Sequence, residues 1–208
     1  MPITGTHLSD PDSSFVTVET FTFTEQTSFN TIVWYGVYDS TTLPGPDPDP
    51  PQTFSVPDST FDNFTISLYN TIGGTPSDTP FDTFSVGNTA TRVVTSITAF
   101  NNTPVFQYTF VLPSSATLGA GTYALGIFND NTADNILWGW SDSSTSGSHF
   151  FDFLSDEIGY STTSGEMAFR LENNASAAAP EPGTFALFGI GGLALMGGLV
   201  TRRKNRKK

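Results

Sequence analysis

The sequence predicts an all-β fold, an antiparallel, jelly-roll-like β-sandwich followed by a single C-terminal transmembrane helix. Three observations predict it. Runs in which apolar and polar residues alternate with period 2 recur through residues 1–172, and no stretch there sustains a 3.6-residue period. Glycine, asparagine and proline punctuate the intervals between the alternating runs. Near the C-terminus, residues 184–200 carry no charge at all.

The alternating sets follow in chain order. Phe64, Ile66 and Leu68 alternate with Asn63, Thr65 and Ser67, and Phe106, Tyr108, Phe110 and Leu112 with Gln107 and Thr109. Tyr123, Leu125 and Ile127 form a third set, Ile136, Trp138 and Trp140 a fourth, and Met167, Phe169 and Leu171 a fifth. One face of each set is apolar, as a half-buried strand requires, and the abundance of Thr and Phe suits a pleated surface. Gly73-Gly74-Thr75-Pro76, Gly87-Asn88, Asn101-Asn102, Gly119-Ala120-Gly121 and Asn129-Asp130-Asn131 supply the turns. About nine or ten short strands are expected, enough for two packed sheets. Pro44 to Pro51, with five prolines in eight residues, cannot join a ladder and reads as an extended insertion loop of the same domain.

Composition narrows the function. The chain has 208 residues, 20 acidic and 8 basic side chains, and no cysteine. Absence of cysteine excludes a disulfide framework, a thiolate metal site and a cysteine nucleophile. Six of the basic residues (Arg202, Arg203, Lys204, Arg206, Lys207 and Lys208) lie in the last seven positions. Arg92 and Arg170 are then the only basic residues beside all 20 acids in the first 200. Such a body is a poor ligand for phosphate backbones, so no nucleic-acid partner is expected.

The domains divide accordingly: a β-sandwich ectodomain at residues 1–172, a linker at 173–179 and a tripartite tail at 180–208. The tail opens on Pro180-Glu181-Pro182, continues through the uncharged block and closes on the basic cluster. A helix over residues 183–201 would be about 28 Å long, close to the roughly 30 Å hydrocarbon core of a bilayer. The basic cluster acts as a stop-transfer signal and holds the C-terminus in the cytoplasm. The two prolines keep the preceding chain extended and stop the helix from running upstream.

In that order and at that terminus, the three blocks resemble the PEP-CTERM sorting tail of Gram-negative bacteria. The resemblance implies recognition by an exosortase, cleavage near Pro180–Pro182, a transient stay in the inner membrane, and release or attachment at the cell surface. It also implies an association with exopolysaccharide and a biofilm matrix. Members of the family begin with a signal peptide, whereas residues 1–7 have neither a basic n-region nor an apolar h-region. The reading therefore expects the true start to lie upstream. The body is similar to secreted bacterial β-sandwich domains through Trp34-Tyr35-Gly36-Val37-Tyr38, residues 63–69, residues 118–125, Trp138-Gly139-Trp140 and residues 167–171. That resemblance carries a fold and export but no chemistry.

Candidate sites in the body are few. Only His7 and His149 exist, and Gly147-Ser148-His149 lies in a Ser/Gly-rich stretch that composition explains. No catalytic residue is assigned, and the expectation is a protein that is not an enzyme. For a glycan hydrolase, a paired carboxylate would be sought first among Asp152, Asp156 and Glu157. Asn129 to Asn135 is dense in oxygen ligands, so Asp130 and Asp134 are candidate calcium ligands, although the Gly and terminal Glu of an EF-hand are missing. Trp34, Tyr35, Tyr38, Trp138 and Trp140 are candidate glycan contacts, since aromatic faces stack on sugar rings. The parity that Trp138 and Trp140 share with Ile136 points instead to a place in the core.

Overall fold

A computed structural model describes residues 6–10, 15–40, 56–99, 103–131, 136–153 and 160–174. The chain divides into two units, Met1–Asn173 and Asn174–Lys208. The sheets belong to the first. Thirteen strands are found among the described residues: β1 (Thr6–Leu8), β2 (Phe15–Phe23), β3 (Thr27–Ser40), β4 (Phe64–Ile72), β5 (Thr75–Pro76), β6 (Asp82–Gly87), β7 (Thr91–Thr98), β8 (Pro104–Leu118), β9 (Gly121–Asn129), β10 (Ile136–Ser141), β11 (Ser148–Phe153), β12 (Ser161–Ser164) and β13 (Phe169–Glu172). The count exceeds the expected nine or ten because β1, β5 and β12 have only two to four residues, too few to show a period. One 3-10 turn, Ser59–Phe61, interrupts the β structure, its first turn capped by the Asp58 carboxylate.

All strand pairs are antiparallel and form two sheets. The first runs β1-β10-β3-β8-β7, with β13 also on β3, and the second runs β12-β11-β2-β9-β4-β5, with β6 also on β4. At 14 residues, β3 is long enough for one edge to hold two partners, β13 along residues 31–34 and β10 along residues 36–40. The chain alternates between sheets, so β2–β9 lies in one and β3–β8 in the other. Gly73 and Gly74 turn β4 into β5 with φ of 63° and 89°, a region costly for residues that carry a Cβ.

Core residues come from both sheets. Ile32, Trp34 and Tyr38 of β3, Tyr108 of β8, and Trp138 and Trp140 of β10 meet Phe64, Ile66 and Leu68 of β4 and Leu125 and Ile127 of β9. At its centre Phe64 stands edge-on to Trp34, Tyr108 and Trp138, with centroids 5.2, 4.8 and 5.1 Å away, while Trp34 stacks on Tyr108 at 5.4 Å. Each such pair adds about 0.5–1.5 kcal/mol beyond its buried area. The predicted alternating sets on β4, β8, β9, β10 and β13 supply this core. Strand β3 is different. Residues 31–38 are buried on both faces, because Val33, Tyr35 and Val37 pack with Val105 and Ala168 in a second cluster. A strand covered on both sides shows no alternation.

Among the described residues no helix is long and apolar enough to cross a membrane. The expected transmembrane helix and the Pro44–Pro51 loop both lie outside the described residues.

Candidate functional site

Along one flank, where β1 of the first sheet lies beside β2 and β11 of the second, the aromatic interior gives way to polar groups. The cause is local. On β2, Phe21 and Phe23 point to the core while Val16 and Val18 belong to an outer cluster, so Thr17 and Glu19 share the inward parity. On β11, Phe150 joins the outer cluster and His149 takes the opposite parity.

Glu19 is 3% exposed and fully occupied. One carboxylate oxygen accepts from the Thr20 amide at 2.8 Å, the other from the Met167 amide at 2.7 Å. Burial raises its pKa from 4.5 to about 7; those two bonds oppose the shift, and the Glu166 and Asp142 charges add to it. The two histidines, 142 positions apart in sequence, meet here with ring centroids 4.0 Å apart at 65°. His7 Nε2 lies 3.1 Å from Asp142 Oδ1. His149 Nδ1 is 2.8 Å from the Gly165 carbonyl, which can only accept, so Nδ1 carries the proton. Its Nε2 is buried with no hydrogen-bond partner. Burial lowers the His149 pKa; the Gly165 bond opposes this and nearby His7 reinforces it.

The Ser/Gly-rich stretch before His149 therefore has a structural use. A Cβ at Gly147 would sit 2.2 Å from Glu166 Cγ, so this glycine makes room for the Glu166 side chain. The Gly147 carbonyl accepts from the Gly165 amide at 3.0 Å and closes the loop that carries Gly165 to His149. In front of His7 lies a cavity of about 260 Å³, lined by Thr6, His7, Leu8, Thr17, Phe151 and Thr163.

A second polar cluster closes another part of the core. Arg92, on β7, donates to Asp62 Oδ2 at 3.3 Å, to the Tyr38 hydroxyl at 3.2 Å and to the Pro57 carbonyl at 2.8 Å. Its guanidinium lies 5.0 Å from the Phe106 ring and 5.5 Å from that of Tyr38. The Tyr38 hydroxyl donates to Asp62 Oδ1, and Asn129 Nδ2 donates to both groups at 3.3 Å. Burial pushes Asp62 from 3.8 to about 6, against the pull of Arg92 and the Asn129 bond. This network pins the segment at residues 57–62 to both sheets.

The sites expected from sequence fall as follows. Trp34, Tyr38, Trp138 and Trp140 are fully buried and Tyr35 is 8% exposed, so none offers an open face to a sugar ring. The correction is one of parity and coverage: four of them fill the space between the sheets, and Tyr35 lies under the outer cluster on β3. Of the candidate calcium ligands, Asp130 is exposed and Asp134 lies outside the described residues. The neighbouring asparagines are already engaged: Asn129 accepts from the Asn63 amide, and Asn131 donates to Asp10 and the Ile136 carbonyl. Among the described residues no three His, Asp or Glu are grouped to hold a metal ion. Asp152 is on β11 opposite Val16, whereas Asp156 and Glu157 lie outside the described residues. So do Pro180, Glu181, Pro182 and the basic cluster from Arg202 to Lys208.

Sequence reasoning missed Glu19, the Asp142–His7–His149 grouping and the Arg92–Asp62 pair. A signal existed for the first: Glu19 stands at the same parity as Phe21 and Phe23. None existed for the others: His7 lies more than 130 positions from Asp142 and His149, and Arg92 meets Asp62 across 30 positions with no local pattern to mark the meeting.

A family model of the PEP-CTERM protein-sorting motif matches residues 178–204, which span Pro180-Glu181-Pro182, the uncharged block and the first three basic residues. The chain matches none of the curated proteins and none of the solved structures with which it was compared. The motif implies export, processing at a membrane and exosortase as the processing partner.

Proposed function

From a chain that carries a PEP-CTERM protein-sorting motif at residues 178–204, we propose a precursor whose β-sandwich is the delivered product and works without catalysis at the cell surface or in the extracellular matrix. The motif match carries this reading. In it, residues 183–201 cross the inner membrane as a helix, and the basic cluster keeps the C-terminus cytoplasmic. The exosortase then acts near Pro180–Pro182, where proline holds the chain extended. Exopolysaccharide of a biofilm matrix is the proposed neighbour of the product.

Charge supports a surface role of this kind. Cleavage leaves the basic cluster behind and yields a lysine-free domain. Arg92 is bound by Asp62, and Arg170 donates to Glu172 at 2.9 Å while lying 6.0 Å from the Tyr35 ring. With both cations engaged, the acids set the field around the product. That keeps it soluble and makes approach to an anionic polymer depend on salt. The nested pairing, β2 with β9 and β3 with β8, supports the jelly-roll-like form of the sandwich. The non-catalytic reading draws on Glu19, whose two carboxylate oxygens are both spent on backbone amides.

The test is replacement of Pro180, Glu181 and Pro182 together by alanine, followed by fractionation of the host cells. The expected outcome is a full-length chain retained in the membrane, with loss of the shorter surface or medium form seen for the wild type. Unchanged appearance of the shorter form would refute the assignment of these residues.

A further inference from the structure

We propose that the flank cavity between β1 and the β2–β11–β12 edge of the second sheet binds one neutral, hydroxyl-rich ring, a single monosaccharide unit. Four features of the cavity select that chemistry.

Its volume of about 260 Å³ falls just under the range of roughly 300–1,000 Å³ typical of ligand pockets, which admits one ring and excludes an oligosaccharide. Its polar lining comes from Thr6, Thr17, Thr163 and His7. Threonine hydroxyls both donate and accept and an imidazole nitrogen adds one further polar partner, and a sugar hydroxyl needs partners of that kind. Thr17 is fully buried and donates to the Leu8 carbonyl at 2.8 Å, so the contacts to a ligand fall to Thr6, Thr163 and His7. Phe151 and Leu8 supply an apolar wall for the C–H face of a ring.

The charge around the cavity decides between neutral and anionic sugars. Asp142 lies 3.1 Å from His7 Nε2, and Glu19 and Glu166 stand in the same polar flank. The Asp142 carboxylate against the His7 imidazole disfavours a uronate. His7 Nε2 is the ring nitrogen turned to Asp142, so Nδ1 is the one placed to meet a ligand. Unlike the buried aromatic residues of the core, His7 is 29% exposed. The inference does not depend on the sorting tail, and its failure would leave that reading intact.

The test is ligand-observed saturation-transfer NMR on the full chain in detergent. The panel is D-glucose, D-galactose, D-mannose and N-acetyl-D-glucosamine, with D-glucuronate as the anionic comparator. At least one neutral sugar is expected to bind with a dissociation constant on the order of 1 mM. Thr163→Val should weaken it roughly threefold to tenfold, the worth of one neutral hydrogen bond. Leu8→Trp, at a position already 37% exposed, should abolish binding by filling the cavity, with the melting temperature as the control for folding. Saturation transfer from none of the neutral sugars would overturn the proposal. So would binding that survives Leu8→Trp, or glucuronate that binds as tightly as the neutral sugar.

Discussion

Replacing Arg92 by methionine keeps an unbranched stem and removes the guanidinium with its charge, and the effect should depend on pH. Arg92 and Asp62 are 12% and 4% exposed, so their interaction is little screened by solvent. Even with Arg92 present, the Asp62 pKa stands near 6 against 3.8 in an unperturbed state. A carboxyl raised in the folded state holds its proton more tightly there than in the unfolded chain. Its contribution is therefore complete below about pH 4 and is lost as pH rises through 6, at a cost of roughly 3 kcal/mol. Arg92→Met leaves the carboxylate alone in the core at pH 8, where roughly 3–5 kcal/mol should be lost. At pH 5 the carboxyl is largely protonated, and only the guanidinium's bonds to the Pro57 carbonyl and the Tyr38 hydroxyl disappear. That loss is roughly 1–3 kcal/mol. Urea denaturation followed by tryptophan fluorescence measures both values, since all three tryptophans are fully buried. Adding Asp62→Asn should recover much of the loss at pH 8. Equal destabilisation at the two pH values would refute the reasoning.

Four further outcomes follow from the same structure. Glu19→Gln should flatten the fall in stability between pH 5 and pH 8, because the Glu19 contribution is lost as pH rises from 4.5 through about 7; an unchanged slope in urea midpoints would contradict the burial argument. His149 works in the other sense, its lowered pKa costing stability as pH falls below its ordinary value of 6.5. Gly36→Ala would place a Cβ 2.4 Å from Trp138 Cζ2, about 1 Å inside ordinary contact. The buried ring has no room to retreat, so denaturation should show a loss of roughly 1–3 kcal/mol, whereas a loss below about 0.5 kcal/mol would place Trp138 elsewhere. Millimolar calcium should leave the melting temperature unchanged, since Asn129 and Asn131 are turned to protein partners. A rise abolished by Asp130→Ala with Asp134→Ala would establish a calcium site.

Alternation was informative wherever a strand had one wet face. Phe64, Ile66 and Leu68 announced β4, and the Phe106–Leu112 set announced β8, because in each the intervening residues are polar. The same rule was silent on β3, whose residues from Thr31 to Tyr38 are buried on both sides. It pointed Trp138 and Trp140 to the core through the parity they share with Ile136, but parity alone does not separate a row that faces a ligand from one that meets the opposite sheet. Burial against Phe64 decided that. The polar flank was illegible for another reason. His7 and His149 meet only because β1 joins the edge of one sheet while β11 joins the other, and no local pattern encodes that meeting. The sorting tail lay at the opposite extreme. Its chemistry is contiguous, a proline-flanked acid, an uncharged span and a basic terminus, so it could be read without any fold.

The central claim is that the tail is removed and the acidic sandwich is the working form. Intact-mass spectrometry of the protein recovered from the surface or medium of its host tests it most directly. The account predicts a mass that ends near Pro180–Pro182 and lacks all six C-terminal basic residues. A surface form that retains its C-terminus through Lys208 would contradict it.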